Sequence, residues 1–309
     1  MLRLILAVTL LVVACVPANV PSTRAIDIAG RRIQVVATTG MVADLVRNVG
    51  GVRVEVAALM GPGVDPHLYK PSAGDINRLE NADIIFYNGL ELEGRMTDLF
   101  VKMARVGKPT VPVTDGVTES RLREPPEFEG KYDPHIWFDV TLWQETIPVV
   151  ARELSRVDPS SEKVFEANAA AYTKELGDLH RYVQTLAGEV AQPSRVLITA
   201  HDAFGYFGQA YGFEVKGLQG ISTATEAGAA DVQDLAAFIA ERKVKAIFVE
   251  SSVSRAAIEA VQAAVRARGF DVQVGGELFS DAMGAEGTPE GTYVGMFKHN
   301  AETIARALK

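Results

Sequence analysis

The chain has 309 residues, 48% of them hydrophobic and 23% charged, and a formal net charge of −8. That composition excludes a disordered or fibrous protein, and acids interspersed with bases leave no basic footprint for nucleic acid. The length is room for about two domains, each able to bury its own core.

The chain opens Met1-Leu2-Arg3, runs apolar from Leu4 to Ala14 and reaches Cys15. A mature membrane-spanning helix needs about 20 apolar residues, so residues 1–14 read as a signal peptide. Val12-Val13-Ala14-Cys15 resembles a bacterial lipobox, in which the cysteine is lipidated and becomes the mature N-terminus. The alternative is an ordinary signal peptide with an incidental cysteine. Cys15 is the single cysteine, so no disulfide is available. A free thiol in an exported protein would otherwise be an exposed liability. Residues 15–30 are small, polar and proline-containing, as expected of a tether between lipid and body. No later stretch is long and apolar enough to cross a bilayer.

Past the tether, strands are expected at 32–38, 52–60, 84–87 and 110–114, with helices at 41–49, 74–81 and 97–106 between them. Such alternation implies parallel strands with helical crossovers. The pattern then breaks. A helix is expected at 140–155, after which Asp158 and Pro159 look like an N-cap and first helical position. From there to about Gly188 nothing stops a helix, and Val164, Ala167, Ala171, Leu176, Leu179, Val183 and Leu186 recur at helical spacing. A helix of that length would run about 45 Å. Residues 158–190 are therefore expected to form a connecting spine. Alternation resumes with strands at 195–199, 214–218, 246–250 and 271–274, and helices at 203–211, 231–243 and 255–268. A last helix, capped by Thr288-Pro289, ends at Leu308. The expected fold is α/β, with two similar-sized lobes of parallel-type sheet and flanking helices. Residues 31–157 and 191–309 form the lobes, and one long helix joins them.

Of the five histidines, two stand in one repeated tripeptide, Asp65-Pro66-His67 and Asp133-Pro134-His135. Proline stiffens each loop, and each aspartate lies near enough in sequence to accept the second ring N–H of a histidine, which would fix the tautomer of a metal ligand. Two surface histidines in Asp-Pro turns is the plainer alternative. His201 ends the strand RVLITA, and Asp281 follows the last strand in GGELFSDAMG; the carboxyl end of a parallel strand is where open α/β sheets place ligand groups. Taken singly, His201 also fits a first helical turn and Asp281 a loop or cap carboxylate. Together, three imidazoles and one carboxylate, two from each lobe, suit Zn²⁺ or another first-row divalent ion. Mg²⁺ and Ca²⁺ would want more oxygens. Four protein donors would leave little room for a reactive water, which favours binding over hydrolysis. Glu250, ending the strand AIFVE, is either a partner of a ligand or a structural carboxylate. His180 and His299 read as solvated helix residues, Glu91 and Glu93 as a solvated loop, and Trp137 and Phe138 as cleft wall. No phosphate-binding glycine loop and no serine-nucleophile elbow is present.

The chain resembles the zinc- and manganese-binding subunits of bacterial ATP-binding-cassette metal importers, the TroA/ZnuA-like cluster. The likeness runs from signal peptide to C-terminus. VDPHLYKPSAGDI at 64–76, YDPHIWFDV at 132–140, ITAHDAFGYFGQAYGF at 198–213, GLQGIST at 217–223 and GGELFSDAMG at 275–284 carry it. The resemblance implies ligands at His67, His135, His201 and Asp281, and two α/β lobes bridged by one long rigid helix. It also implies an extracytoplasmic lipoprotein, expected to be monomeric, that hands a divalent metal to a permease and its ATPase. Two departures concern the metal. Strict zinc importers often carry a His-rich loop before the second motif, whereas residues 115–131 here contain no histidine. Many manganese members carry Glu where His201 stands. The competing readings are a secreted zinc enzyme, with Glu250 as general base, and a surface adhesin of the same family.

Overall fold

The computed structural model of the chain describes Ile28, residues 30–128 and residues 130–309. The signal run and Cys15 lie outside the described residues, as does most of the tether. Among the described residues no helix is long and apolar enough to cross a membrane.

The first lobe is built on a four-stranded parallel sheet of order β2-β1-β3-β4, with β1 Ile33–Ala37, β2 Val54–Ala58, β3 Ile84–Tyr87 and β4 Thr110–Pro112. Ile33 pairs with Val54, Val35 with Ile84 and Ile85 with Thr110. Helices α1 (Gly40–Gly50), α2 (Ala73–Asn81) and α3 (Thr97–Arg105) are the crossovers. Thr39 caps α1, and a reciprocal Ser72–Asp75 capping box starts α2. Between β3 and α3, Leu90 and Glu91 take positive φ. Glu91 is exposed as expected, but Glu93 is not: its buried carboxylate accepts from the Thr38 hydroxyl at 2.6 Å and the Asn88 and Gly89 amides. The sharp loop needs its N–H groups bonded, and Glu93 supplies the acceptors.

Helix α4 (Val140–Val157) begins at Asp139, whose carboxylate accepts the Thr141 N–H at 2.8 Å. The long helix α5 spans Glu162–Gly188, 27 residues, or about 40 Å. It is preceded by a separate tight turn, Pro159–Ser161. Asp158 opens that turn, but its carboxylate binds Arg53 and the Ser160 hydroxyl instead of capping a helix. An arginine fork is a stronger partner than an exposed amide. The buried stripe of α5 is Phe165, Tyr172, Leu176, Leu179, Val183 and Ala187. Val164, Ala167 and Ala171, expected inside, face outward, because the aromatic residues bury more area and set the helix rotation.

In the second lobe β5 (Val196–His201) pairs in parallel with β6 (Glu214–Gln219), and β7 (Ala246–Glu250) with β8 (Gln273–Leu278). β5 lies beside β7. Helices α6 (Gly205–Tyr211), α7 (Ala229–Arg242) and α8 (Arg255–Ala267) connect them, and α9 (Tyr293–Leu308) closes the chain. β8 starts later and runs further than the expected 271–274. The Gly275-Gly276 pair lies inside the strand, at a bulge opposite Ile247 and Phe248. The last helix is capped by Thr292, which accepts the Gly295 N–H at 3.0 Å; Pro289–Gly291 is only a turn before it.

One apolar cluster runs through both lobes. Trp143, Phe165, Leu176, Phe204, Phe207 and Phe297 all belong to it. Helix α5 packs on α1 and α4 of the first lobe and on α6 and α9 of the second. Smaller clusters lie on the first-lobe sheet, at Val36 and Ile85, and on the neighbouring β5 and β7, at Ile198 and Ile247.

Candidate metal centre

Each of His67, His135, His201 and Asp281 sits on a segment that local chemistry holds still. His67 follows β2 on the loop 61–67, where Asp65 Oδ1 accepts its backbone N–H at 2.8 Å. Asp133 does the same for His135 at 3.0 Å, and its Oδ1 also takes the ring Nδ1 at 2.7 Å. Both tripeptides are thus aspartate turns, but only the second aspartate reaches the ring of its histidine. The other oxygen of Asp65 is taken by the Thr223 hydroxyl of the opposite lobe at 2.6 Å. His201 is the last residue of β5. Glu250, the last residue of β7, accepts its backbone N–H at 2.9 Å with one oxygen and its ring Nδ1 at 2.6 Å with the other. Asp281 follows β8; the Asn300 side chain pins the backbone of Phe279 two residues before it, and the Trp137 indole donates to the Ser280 carbonyl at 3.0 Å.

These segments bring one donor atom from each of the four side chains within 4.8 Å of one another. His67 Nε2 lies 3.3 Å from His135 Nε2. Asp281 stands 3.5 Å from His67, 3.4 Å from His135 and 3.2 Å from His201, each through Nε2. All four residues are buried. Asp281 Oδ1, Asp281 Oδ2 and His201 Nε2 have no aligned hydrogen-bond partner. Buried polar atoms without partners are costly, and here they point at one another around a common centre.

Burial pushes the His67 ring down to about 3, so that ring is neutral. Burial acts on His135 in the same direction, but its hydrogen bond to Asp133 and the nearby charge of Asp281 hold it up to about 9. His201 is likewise driven down by burial, yet stands well above the ordinary value because Glu250 and Asp281 face it. Burial raises Asp281, and the imidazoles of His201 and His135 more than reverse this, holding it well below the usual carboxylate range. The enclosed carboxylates therefore demand positive charge at this point. Protons on two rings can supply it, and so can a divalent cation. With Nδ1–H donated to a carboxylate, His135 and His201 each turn Nε2 inward, and loss of the proton there frees a lone pair for a cation. Three nitrogens and a carboxylate oxygen suit zinc and its first-row neighbours.

The expected positions all lie here, along with Asp133 and Glu250. His180, against the Tyr211 hydroxyl, and His299, on the Glu277 carbonyl, sit elsewhere. Trp137 and Phe138 are fully buried, Phe138 against the Phe204 ring at 4.1 Å. Sequence reasoning missed Thr223, Asn300 and Arg123, whose Nη1 bonds Asp133 Oδ2 at 2.6 Å. No pattern near these residues signals partners that far along the chain.

The family model ZnuA, zinc-uptake complex component A periplasmic, matches residues 35–307. The chain is 52% identical over 274 residues to the zinc-binding protein TroA of Treponema pallidum (strain Nichols), covering 89% of this chain and 88% of that protein. It is 46% identical over 282 residues to the manganese-binding lipoprotein MntA of Bacillus subtilis (strain 168), covering 91% of each. With the manganese ABC transporter substrate-binding lipoprotein PsaA of Streptococcus pneumoniae serotype 4 it shares 29% identity over 304 residues, 97% of this chain and 95% of that one. A solved structure of the periplasmic zinc binding protein TroA from Treponema pallidum matches with a TM-score of 0.87 at 51% identity, covering 90% of this chain and 99% of that chain.

Proposed function

Because the chain belongs to the ZnuA family of metal-uptake components, we propose that it is the extracytoplasmic substrate-binding protein of an ABC transporter, capturing zinc or manganese and delivering it to a membrane permease. His67, His135, His201 and Asp281 are the ligands assigned to the ion. The observation that carries this reading is their convergence, buried and drawn from both lobes, around oxygen and nitrogen atoms that lack other partners. Asp133 and Glu250 hold the rings of His135 and His201 in the tautomer that binds metal.

Four protein donors close a tetrahedral shell, and a catalytic site would keep one position open for water. The role of this centre is therefore capture, with the ion as cargo. Three imidazoles rank zinc above manganese in affinity, and supply decides which is carried. The partner is a permease with its ATPase. MntA and PsaA carry lipoprotein in their names, which supports Cys15 as a lipid attachment point and residues 15–30 as the tether.

Metal analysis of protein purified without added metal, followed by calorimetric titration with zinc and manganese, tests this reading. About one ion per chain is expected. His67→Ala and Asp281→Ala should weaken binding by more than the roughly 10–100-fold typical of an outer partner, with circular dichroism unchanged. A parent protein that holds neither ion, or variants that bind as the parent does, would defeat the assignment.

A further inference from the structure

The segment 115–131 holds no histidine, yet one of its residues reaches the metal centre from behind. Arg123 lies in the first lobe and is half-buried. Its Nη1 bonds Asp133 Oδ2 at 2.6 Å, and the Arg123 carbonyl accepts the Asp133 N–H at 2.9 Å. Asp133 Oδ1 in turn holds the His135 ring. Both oxygens of that carboxylate are thus engaged, one by a guanidinium and one by a ligand imidazole.

The other face of the same guanidinium lies against the second lobe. It sits over the Tyr206 ring, with its central carbon 5.5 Å from the ring centre. It also occupies the space beside Gly205 at the start of α6, where a β-carbon would overlap it. The Tyr206 hydroxyl accepts the Arg123 backbone N–H at 2.9 Å and donates to the Asp133 carbonyl at 3.1 Å. Arg123 therefore touches three things together: the carboxylate behind a ligand, the first turn of a helix of the opposite lobe, and an aromatic ring of that helix.

We propose that Arg123 is a positioning residue for metal binding, which aims His135 through Asp133 and, by lying on Gly205 and Tyr206, allows that aim only while the two lobes are together. The inference rests on the metal-binding reading above. Arginine suits the task because its planar fork bonds a carboxylate on one edge while its face stacks on a ring and a glycine. Lysine would supply charge to Asp133 without the flat face. The glycine at 205 leaves the room that face needs. A buried carboxylate stripped of its guanidinium would let the His135 ring turn, and outer partners of this kind typically change metal affinity by about 10–100-fold.

The test compares parent, Arg123→Ala, Arg123→Lys, Gly205→Ala and the Arg123→Ala/Gly205→Ala pair. Zinc affinity comes from chelator competition, metal loss from stopped-flow chelation, and coordination geometry from the visible absorption of the Co²⁺-loaded protein. Thermal unfolding without metal reports the fold. Arg123→Ala should weaken zinc binding about tenfold or more, speed its loss and alter the Co²⁺ band. Arg123→Lys should recover part of the affinity. Gly205→Ala, which leaves every ligand and Asp133 untouched, should act in the same direction, and the double variant should be no worse than the more affected single one. Parent-like affinity, loss rate and Co²⁺ spectrum in both Arg123→Ala and Gly205→Ala would overturn the proposal while leaving metal capture intact. Failure of the parent to bind zinc would instead remove the functional reading itself. If Arg123→Ala does not fold, Gly205→Ala and Arg123→Lys still decide the matter.

Discussion

Charge at the candidate metal centre is balanced residue by residue, and on the proposed reading protons and metal ions compete for the same balance. His135, held up to about 9, and His201, held well above its ordinary value, both carry protons near pH 7 in the metal-free protein, whereas His67 is neutral. Metal binding must displace protons from these rings, so a net number of protons should be released with each ion at neutral pH. Calorimetry in buffers of different protonation enthalpy measures that number directly. The sign for stability follows from the same shifts. A histidine whose folded pKa is raised stabilises the metal-free fold fully below the unfolded value of about 6.5, and the contribution is lost as pH rises through about 9. Metal binds better as those protons leave. The rise in melting temperature produced by saturating zinc should therefore grow between about pH 6 and about pH 9, and a constant rise would contradict the charge assignment. The two Asp-Pro-His tripeptides were visible in the chain because each turn is made within three residues. The partnership of Glu250 with His201 was harder to see, since it joins the ends of neighbouring strands 49 residues apart. Arg123 and Thr223 act across the lobes and leave no local mark.

At the level of elements, strand ends aim the second-lobe groups, with His201 and Glu250 closing β5 and β7 and Asp281 just past β8, whereas His67 and His135 come from aspartate turns; the strands themselves are readable from runs such as IQVVA, IIFY and AIFVE. What escaped reading was where backbone rules give way to tertiary contact. β8 continues through two glycines because α9 lies close against it. A β-carbon on Gly275 would meet Ala307 and Phe248, and one on Gly276 would meet Thr303. Gly276 also has φ +149, a region closed to most side chains. Gly276→Ala should cost about 1–3 kcal/mol, read as a lower urea midpoint for the metal-free protein. An unaltered midpoint would show that the strand relaxes around the change. The caps at Asp158 and Thr288 were misplaced for a related reason: a good capping residue is also a good partner for an arginine or a turn, and only the fold says which it meets.

Across the molecule, the two-lobed plan followed from the break in strand–helix alternation and the unbroken run after Pro159. The sharing of one apolar core by both lobes did not, because periodicity reports that a face is buried without saying against what. That core, with α5 along it, ties the lobes together and reaches the site itself, where the Trp137 ring lies 5.2 Å from the His135 ring. Asp44 of α1 adds a polar tie, accepting from the Tyr172 hydroxyl of α5 and the Tyr293 N–H that opens α9. Attachment to a membrane is a separate part of the proposal, resting on the sequence of the N-terminal segment. Cys15→Ser should move the protein from the membrane fraction to the soluble fraction without changing zinc affinity, and its retention with the lipids would rule out the anchor.

Support around the four ligands is uneven. His135 and His201 are backed by carboxylates, and Asp281 by the indole and amide bonds on its flanking residues. The His67 ring has only the turn beneath it, and among the described residues no hydrogen bond reaches its Nδ1. Among the described residues its loop is hydrogen-bonded to the far lobe by one hydroxyl, that of Thr223. On the proposed metal-capture reading, the wall at His67 is the one expected to yield first when the cargo leaves, with the better-braced three kept in place.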